Sequence, residues 1–453
     1  MKKTVMKFLS VMLLGTMIAS LAGCAPSDNT SSSGNAGEQT VSEKAAEDKP
    51  ADEKAASEPI KLTVWHQSVA ETDPATKLIK EAVAEWNAAH PDIIVEEDGV
   101  TGEQYKTKIK TAIAANEGPD LSYMWGGSFV EPYVKAGNML PIDEYLTDDI
   151  KSKLVPGTIE GCVFDGKTYS LPSTTFIASL YCNTELFEKA GAKLPTTYDE
   201  LLDAAAKLEA AGITPIVLGE KDRWPGMYWF DIIAMRQAGN EACMAAMKDP
   251  AKFDSPEFVA AAKKIQQLAE VGAFNDSMFS MSYDEMIGAF THGKAAMLFQ
   301  ANWVNAAIED PSAATSGKVT AVAFPLFADG AGKVTEFYGG GVDGYYINAN
   351  TEHPKEAAEF LIYLSEKMDR GTYLANSGLP CWDTTGLDTS SLIPLTKQAA
   401  ELMSTATSFI KWWDNILPAE SSEVHKDLIA QLLAKKITPE EFCKEMAKVK
   451  GAQ

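Results

Sequence analysis

Residues 60–65, with the sequence IKLTVW, alternate apolar and polar side chains with the two-residue period of a β-strand. The pair Asp73-Pro74 then opens a helix that carries one apolar face, and Pro91 ends it. The chain continues with a strand, a helix and a strand, over 92–95, 104–115 and 120–125. This alternation predicts an α/β fold with a mostly parallel sheet.

The loops that follow these strands are the first candidates for a binding site. Ligands of α/β sheets bind beyond the carboxyl ends of the strands. This rule places residues 65–67 (WHQ) and 125–128 (WGGS) at the ligand edge of the predicted sheet.

The same kind of pattern extends through the rest of the chain. Capping boxes, in which a Ser or Thr precedes a Glu by three residues, predict helix starts at Thr197, Ser282 and Thr438. Ser255-Pro256 predicts a further start. Strands are predicted over 213–218, 319–324 and 345–347. No internal repeat and no evident linker divides this body.

Composition excludes several classes of protein. The chain has 453 residues, 45% of them hydrophobic and 23% charged, which is typical of a globular protein. Its 63 acidic residues outnumber 40 basic ones, and the formal net charge is −23. Nucleic-acid binding and adhesion to anionic membranes both require clustered Lys and Arg. Neither is expected of this chain.

The N-terminus carries an export signal. Three lysines precede an apolar run over 8–19, which is too short to span a bilayer but fits a signal peptide. The sequence LAGC at 21–24 resembles the lipobox of bacterial lipoproteins. It implies a signal peptide over 1–23 and a lipid-modified Cys24. Residues 24–59 then form a disordered linker, since 25–58 contains Val41 as its only large aliphatic residue.

The remaining cysteines and the histidines predict no metal site. Cys162, Cys182, Cys243, Cys381 and Cys443 form no C-x-x-C pair, and the five histidines form no H-x-x-x-H. We expect most of these cysteines to be small buried residues, although one disulfide is compatible with the spacing.

Cofactor and hydrolase motifs are weak. The glycine-rich stretch 339–344 (GGGVDG) matches the spacing of a dinucleotide motif, but it leads into a predicted strand where that motif requires a helix. We therefore expect a glycine-rich turn and no cofactor. G-x-S-x-G, S-x-x-K and H-E-x-x-H are absent from the sequence. A pair of carboxylates able to hydrolyse glycosides cannot be recognised from sequence, so this alternative stays open.

Tryptophans are the more informative residues. Trp86 falls on the apolar face of the first helix and is expected in the core. Most of the others fall at strand ends or in loops: Trp65, Trp125, Trp224, Trp303, Trp382, Trp412 and Trp413. Flat rings suit the apolar faces of pyranoses, and neighbouring polar groups can bind the hydroxyls. This pattern favours a sugar-binding cleft.

An ordered series of short phrases resembles the sugar-binding proteins of bacterial ABC importers, the family that includes maltose-binding protein. Besides the lipobox, the phrases are GPD at 118–120, WGG at 125–127, DGKTYSLP at 165–172, LYCNTELF at 180–187, KDRWPGMYWFD at 221–231, GKAAM at 293–297, NW at 302–303, GGG at 339–341, HPKEAA at 353–358, WD at 413–414 and KITPEE at 436–441. They cover nearly the whole body of the chain.

The resemblance implies a type II periplasmic-binding-protein-like fold, with a ligand cleft between two lobes and a hinge that the chain crosses several times. Lobe one would comprise 60–173 plus 328–376, and lobe two 174–327 plus 377–453. The family captures a carbohydrate, here a di- or oligosaccharide, and delivers it to membrane permease subunits that an ATPase drives. The resemblance thus implies a lipid-anchored monomer on the outer face of the cytoplasmic membrane, without catalytic activity or cofactor.

The resemblance also assigns a ligand site by position. From lobe one it would contain Trp65, Gln67, Trp125, Gly126, Gly127, Gly340, Gly341 and Asp343. From lobe two it would contain Phe176, Trp224, Tyr228, Trp303, Trp412, Trp413 and Asp414. His66 is compatible with a ligand contact or with a supporting role. Two alternatives remain, a cell-surface glycoside hydrolase and a binding protein for a peptide or a polyamine.

Overall fold

The computed structural model describes residues 58–71, 73–155 and 158–452. The signal peptide predicted over 1–23, the predicted lipidation of Cys24 and the predicted linker as far as residue 57 lie outside these residues. Within the described ranges, no helix is both long enough and apolar enough to cross a membrane.

The described strands fall into two sheets. They are β1 (Ile60–His66), β2 (Ile93–Gly99), β3 (Leu121–Met124), β4 (Val163–Phe164), β5 (Lys167–Thr168), β6 (Pro172–Asn183), β7 (Thr214–Ile216), β8 (Ala295–Ala301), β9 (Val319–Val322), β10 (Glu336–Ile347) and β11 (Ser408–Ile410).

Helices connect most of these strands, and the helices for which the sequence carries a start signal begin where that signal predicts. They are α1 (Pro74–Ala89), α2 (Gly102–Ala115), α3 (Gly127–Lys135), α4 (Asp148–Ser152), α5 (Thr184–Lys189), α6 (Tyr198–Ala210), α7 (Trp224–Ala238), α8 (Asn240–Lys248), α9 (Pro256–Glu270), α10 (Tyr283–Thr291), α11 (Asn305–Ile308), α12 (Pro354–Leu374), α13 (Pro394–Ser404), α14 (Ala419–Leu433) and α15 (Pro439–Met446). The reciprocal capping boxes at Thr197, Ser282 and Thr438 are confirmed.

The large sheet has nine strands in the order β2-β1-β3-β10-β6-β8-β7, with β11 paired to β10 and β9 paired to β6. β1 runs parallel to β2 and β3, as the N-terminal alternation predicts. However, β10 and β6 run antiparallel to each other and to their other long neighbours. The prediction of a mostly parallel sheet is therefore wrong, because its two long strands run antiparallel through the middle of the sheet.

The glycine-rich stretch is also not the turn that its composition indicates, because residues 339–344 lie inside β10. The register with β6 shifts between Gly339 and Val342. A Cβ atom at Gly339 would lie 2.4 Å from the carbonyl oxygen of Phe176, and φ at Gly340 is +69°. The glycines therefore permit a bulge and the close approach of two strands.

β6 and β10 connect two hydrophobic cores. One core draws its buried residues from 62–171 and 345–382, and the other from 176–301, 324–338 and 410–446. Tyr338 in β10 packs in the second core, whereas Tyr345 and Ile347 of the same strand pack in the first. The middle of β10 thus lies between the two cores, and β6 begins beside Leu171 of the first core and continues into the second.

Asp369, near the end of α12, fixes the chain where it returns to this central region. Its carboxylate accepts the backbone N–H groups of Cys381 at 2.7 Å and Trp382 at 3.1 Å. The indole N–H of Trp382 in turn donates to the carbonyl oxygen of Pro172 at 2.8 Å. Burial raises the pKa of Asp369 to about 7, against the lowering effect of these donors.

This buried carboxyl predicts that stability falls as pH rises from about 5 to 8. The folded state holds its proton to a higher pH than the unfolded chain, so it binds more protons in this window and loses stability as the pH increases. Asp343, whose pKa burial raises to about 7, acts in the same direction. We expect the unfolding midpoint to drop by a few degrees between pH 5.5 and 8, measured by calorimetry at constant ionic strength. Asp369→Asn should flatten this slope, and an equal slope in both proteins would contradict the assignment.

Candidate functional site

Aromatic side chains from five separate segments meet around Trp303. We call this group the aromatic wall; it comprises Phe176 in β6, Trp224 and Tyr228 in α7, Tyr283 in α10, Trp303 and Trp412. Trp303 lies in the 3-10 turn that follows β8, and Trp412 follows β11 directly. Because α7 begins at Trp224, the i,i+4 spacing brings Trp224 and Tyr228 to one helix face, where their ring centroids are 5.1 Å apart.

The rings of the wall are held in defined orientations. Trp303 contacts Phe176 edge-on at 4.9 Å between centroids and Trp412 at 5.7 Å. Its indole N–H donates to the hydroxyl of Tyr283 at 2.9 Å. Tyr228 and Trp412 stack at 4.7 Å with 17° between their planes. Trp224 and Trp303 remain half-buried, whereas Phe176, Tyr228 and Trp412 are buried.

A second group of rings lies at the ligand edge predicted from the strand ends. Trp125 contacts Tyr123 at 5.4 Å and Phe129 at 4.9 Å, in both cases edge-on. Trp65 is half-buried, and the ammonium of Lys108 lies 3.8 Å from the centroid of its ring. This distance allows a cation–π contact between Lys108 and one face of Trp65.

Two carboxylates, those of Asp343 and Asp414, lie near the two groups of rings. The hydroxyl of Tyr123 donates to Oδ2 of Asp343 at 2.5 Å. Burial raises the pKa of Asp343 to about 7; the Tyr123 hydrogen bond opposes this rise and the charge of Asp414 adds to it. The charges of Asp343 and Asp414 also raise the pKa of Tyr228 in the aromatic wall. The two carboxylates are thus electrostatic neighbours of each other and of the rings.

The turn after β3 is in direct contact with the segment that follows Trp413. Nδ2 of Asn415 donates to the carbonyl oxygen of Trp125 at 2.7 Å, and the Ser128 hydroxyl donates to the carbonyl oxygen of Asp414 at 2.8 Å. A Cβ atom at Gly127 would lie only 2.2 Å from the carbonyl oxygen of Asn415, and φ at Gly127 is +51°. Only glycine permits this approach without a rearrangement.

The structure separates one predicted site residue from the others. Trp413 is fully buried in the second core, where it stacks on His425 with 5.2 Å between centroids and 19° between planes. It lines no cleft in this structure, and its assignment as a ligand residue is corrected to a core residue. Consecutive side chains of an extended segment point in opposite directions, so Trp412 and Trp413 cannot both face one site.

The remaining predicted positions surround the two ring groups. Gly126 directly precedes α3. Gly341 lies against the indole of Trp412: a Cβ atom at Gly341 would be 3.7 Å from Nε1 of Trp412. Gly340 is in the bulge of β10, and Gln67 is half-buried just after β1. Of the two alternatives for His66, the structure favours a supporting role. His66 is 2% exposed and its Nε2 lies 2.8 Å from Oε2 of Glu97.

Sequence analysis missed three polar members of this region. Tyr123 follows from strand alternation, which places it on the same face as Trp125 two residues later. Tyr283 is the first residue after a capping Ser and carried no other signal. Asp73 was interpreted only as the cap of α1, and its carboxylate does accept the N–H of Ala75. Burial raises the pKa of both Tyr123 and Tyr283, one in each ring group, and the charge of Asp73 adds to this rise.

The site offers stacking surfaces and hydrogen-bond acceptors. Among the described residues, no cluster of three or more His, Cys, Asp or Glu side chains could hold a metal ion. The five cysteines after the linker are all buried and free, which confirms their interpretation as small buried residues.

Comparison with known proteins identifies the family. The family description "Bacterial extracellular solute-binding protein" matches residues 70–369. An uncharacterized ABC transporter extracellular-binding protein of Pyrococcus horikoshii is 21% identical over 373 residues, which are 81% of this chain and 78% of that protein.

Two solved structures are similar over most of the chain. One, from work on xylan utilization by Caldanaerobius polysaccharolyticus, has a TM-score of 0.83 and 40% identity and covers 86% of this chain and 99% of its own. The other is a chitin oligosaccharide binding protein with a TM-score of 0.77 and 27% identity. The match covers 86% of this chain and 98% of that protein's chain. The predicted α/β, periplasmic-binding-protein-like fold is confirmed, and the chain belongs to the bacterial extracellular solute-binding proteins.

Proposed function

We propose that this protein is the carbohydrate-capturing subunit of an ABC importer and that its ligand is a di- or oligosaccharide. The aromatic wall is the observation that carries the proposal. It supplies several flat, oriented rings, two of which, Trp224 and Trp303, are half-buried and so keep a face available. Such rings bind the C–H faces of pyranoses, and the carboxylates of Asp343 and Asp414 suit the surrounding hydroxyls.

A polyamine fits this site less well than a sugar does. A polycation requires ionised, accessible carboxylates. Asp231 is fully buried and occupied by Tyr338 and His425, and Asp343 is buried with a pKa raised to about 7. The carboxylate of Asp222 likewise already accepts the backbone N–H of Tyr283, at 2.7 Å. The neutral hydroxyls of a sugar can form hydrogen bonds with these carboxyl groups even when the carboxyl groups are not fully ionised.

Capture without turnover is the remaining part of the proposal. The family is one of binding proteins, and we propose that this member has no catalytic activity. A glycoside hydrolase would require two carboxyl groups that flank the scissile bond with distinct acid and base roles. Asp343 is instead held by the Tyr123 hydroxyl, and Asp414 contacts the turn after β3 through its backbone carbonyl.

The wider architecture follows the same proposal. Lobe one would comprise 60–173 plus 328–376 and lobe two 174–327 plus 377–453, with the ligand held by both. The two hydrophobic cores agree with this division over most of the chain, but Tyr338 packs in the core of lobe two, and Cys381 and Trp382 pack in the core of lobe one. We further propose that the mature protein is a monomer anchored through Cys24 to the outer face of the cytoplasmic membrane, where it meets its permease.

Tryptophan fluorescence titration tests the function. The panel comprises xylo-, malto-, cello- and galacto-oligosaccharides, each analysed for breakdown products afterwards. Xylo-oligosaccharides come first, because of the similarity to the protein from the xylan utilization work. We expect saturable binding in the micromolar range or tighter to one series, with the sugar recovered intact. Degradation of the sugar would support a glycosidase, and no response to any series would contradict carbohydrate capture.

A further inference from the structure

A fully buried polar network lies directly behind the aromatic wall. Asp231 is in α7, three residues after Tyr228 of the wall. Its Oδ2 accepts the hydroxyl of Tyr338 at 2.6 Å, and its Oδ1 lies 2.8 Å from Nε2 of His425. All three side chains have no exposure to solvent, so the network has no direct contact with a ligand.

Both ends of this network reach the Trp412 segment. The ring of Tyr338 lies edge-on against Trp412 at 4.7 Å and against Tyr228 at 5.0 Å, the two rings that stack on each other in the wall. At the other end His425 stacks on Trp413, whose backbone N–H lies 3.4 Å from the hydroxyl of Tyr338. The network therefore supports Trp412 through a packed ring and through its neighbour in the chain.

Stability alone does not account for these three polar groups. Apolar side chains of similar shape would fill the same core without the desolvation of a carboxylate, which is often neutral or stabilising. Burial raises the pKa of Asp231 to about 6 in spite of His425 and Tyr338, which measures how unfavourable the buried charge is. Instead, the network holds the hydroxyl of Tyr338 in one direction and therefore holds the Tyr338 ring in one orientation against Trp412.

We propose that Asp231, with His425, is a positioning residue that fixes the hydroxyl of Tyr338 and thereby the orientation of the Trp412 ring, the buried member of the wall against which Tyr228 stacks and the half-buried Trp303 packs. This inference rests on the proposed function of the wall as a sugar-binding surface. Tyr338 is the element that transmits the constraint, since it contacts Asp231 through its oxygen and Trp412 through its ring.

The chain offers a matched pair of variants. Tyr338→Phe removes the hydroxyl that Asp231 holds and keeps the ring that packs on Trp412. Tyr346→Phe is the control, because Tyr346 lies in the same strand, is equally buried, and its hydroxyl has no hydrogen-bond partner among the described residues. We expect Tyr338→Phe to weaken binding of the saccharide by about fivefold, in line with the energies of oriented aromatic contacts. Tyr346→Phe should bind as the unmodified protein does.

A double-mutant cycle separates positioning from general destabilisation. If the hydroxyl of Tyr338 acts through Trp412, then Tyr338→Phe should cause no further loss of affinity in a Trp412→Ala background. Additive losses would overturn the proposal. So would equal affinities of Tyr338→Phe and Tyr346→Phe.

A measurement without ligand keeps this test distinct from that of the proposed function. The stacked Tyr228–Trp412 pair should contribute to the near-ultraviolet circular dichroism of the full chain. Tyr338→Phe should change the tryptophan bands of that signal, which lie at longer wavelength than the tyrosine bands that either substitution removes, and Tyr346→Phe should leave the tryptophan bands unchanged. If no saccharide binds the unmodified protein, the proposed function fails, whereas the circular dichroism comparison still decides whether the network orients Trp412. If the tryptophan bands of Tyr338→Phe are the same as those of the unmodified protein, the positioning role is overturned.

Discussion

Trp303→Ala is expected to weaken saccharide binding by about tenfold or more, which corresponds to about 1.4 kcal/mol. Trp303 touches Phe176, Trp224, Tyr228 and Trp412, so its removal takes away one stacking surface and loosens its neighbours. Buried aromatic residues at the centre of a binding surface are where such losses concentrate. Trp224→Ala, at the half-buried edge of the same wall, should act in the same direction.

The affinity loss must be separated from a loss of fold. Trp303 is half-buried, so its truncation should lower the unfolding midpoint without preventing folding. Tyr363→Ala is a suitable control, because Tyr363 is also half-buried and packs on Trp86 in the other core, with ring centroids 5.3 Å apart. We expect it to lower stability and leave the dissociation constant unchanged by calorimetry. Unchanged affinity in both Trp303→Ala and Trp224→Ala would refute the aromatic wall as the ligand site.

Gly127→Ala is expected to have a comparable effect for a different reason. The new methyl group would lie 2.2 Å from the carbonyl oxygen of Asn415, an atom of the backbone that cannot rotate away as a side chain can. The turn after β3 must then separate from the segment at 414–415. The hydrogen bonds from Asn415 to Trp125 and from Ser128 to Asp414 would be lost together.

This contact joins segments that we propose belong to opposite lobes. A ligand favours a closed form only through interactions that exist in that form and not in the open one. Separation of the two segments should therefore weaken binding by about tenfold or more, the equivalent of about 1.4 kcal/mol. In small-angle scattering with ligand present, Gly127→Ala should have a larger radius of gyration than the unmodified protein.

Gly137→Ala provides the control at the other end of α3. Its φ of +76° is as unfavourable for alanine as that of Gly127, but a Cβ atom there would meet no other atom within 4 Å. Both variants thus carry backbone strain, but only Gly127→Ala collides with Asn415. Equal affinities of the two variants would show that the contact with Asn415 plays no part in binding.

Local elements were predictable because their signals are local. The alternation at 60–65, the cap at Asp73 and the three capping boxes each depend on residues within a few positions of one another, and the structure confirms them. The family too was recognisable from short phrases in a fixed order, and the match to 70–369 confirms it. Tryptophans outside regular periodicity directed attention to Trp224, Trp303 and Trp412, which the structure brings together.

Other features depend on partners that are distant in sequence. The glycines at 339–341 indicated a turn, because nothing in their neighbourhood reveals that Phe176 and Phe409 lie against them. Trp412 and Trp413 are indistinguishable in sequence, yet one joins the wall and the other stacks on His425 in the core.

The sequence by itself therefore determined the elements with local signals, the family and the chemical types available to the site. The tertiary structure decided which rings meet, how the strands of the central sheet run, and which carboxylates are free. Asp231 shows the reason. Its role depends on Tyr338 and His425, which lie 107 and 194 positions away in the chain. Contacts of that kind arise only when the packing of whole elements brings distant residues together.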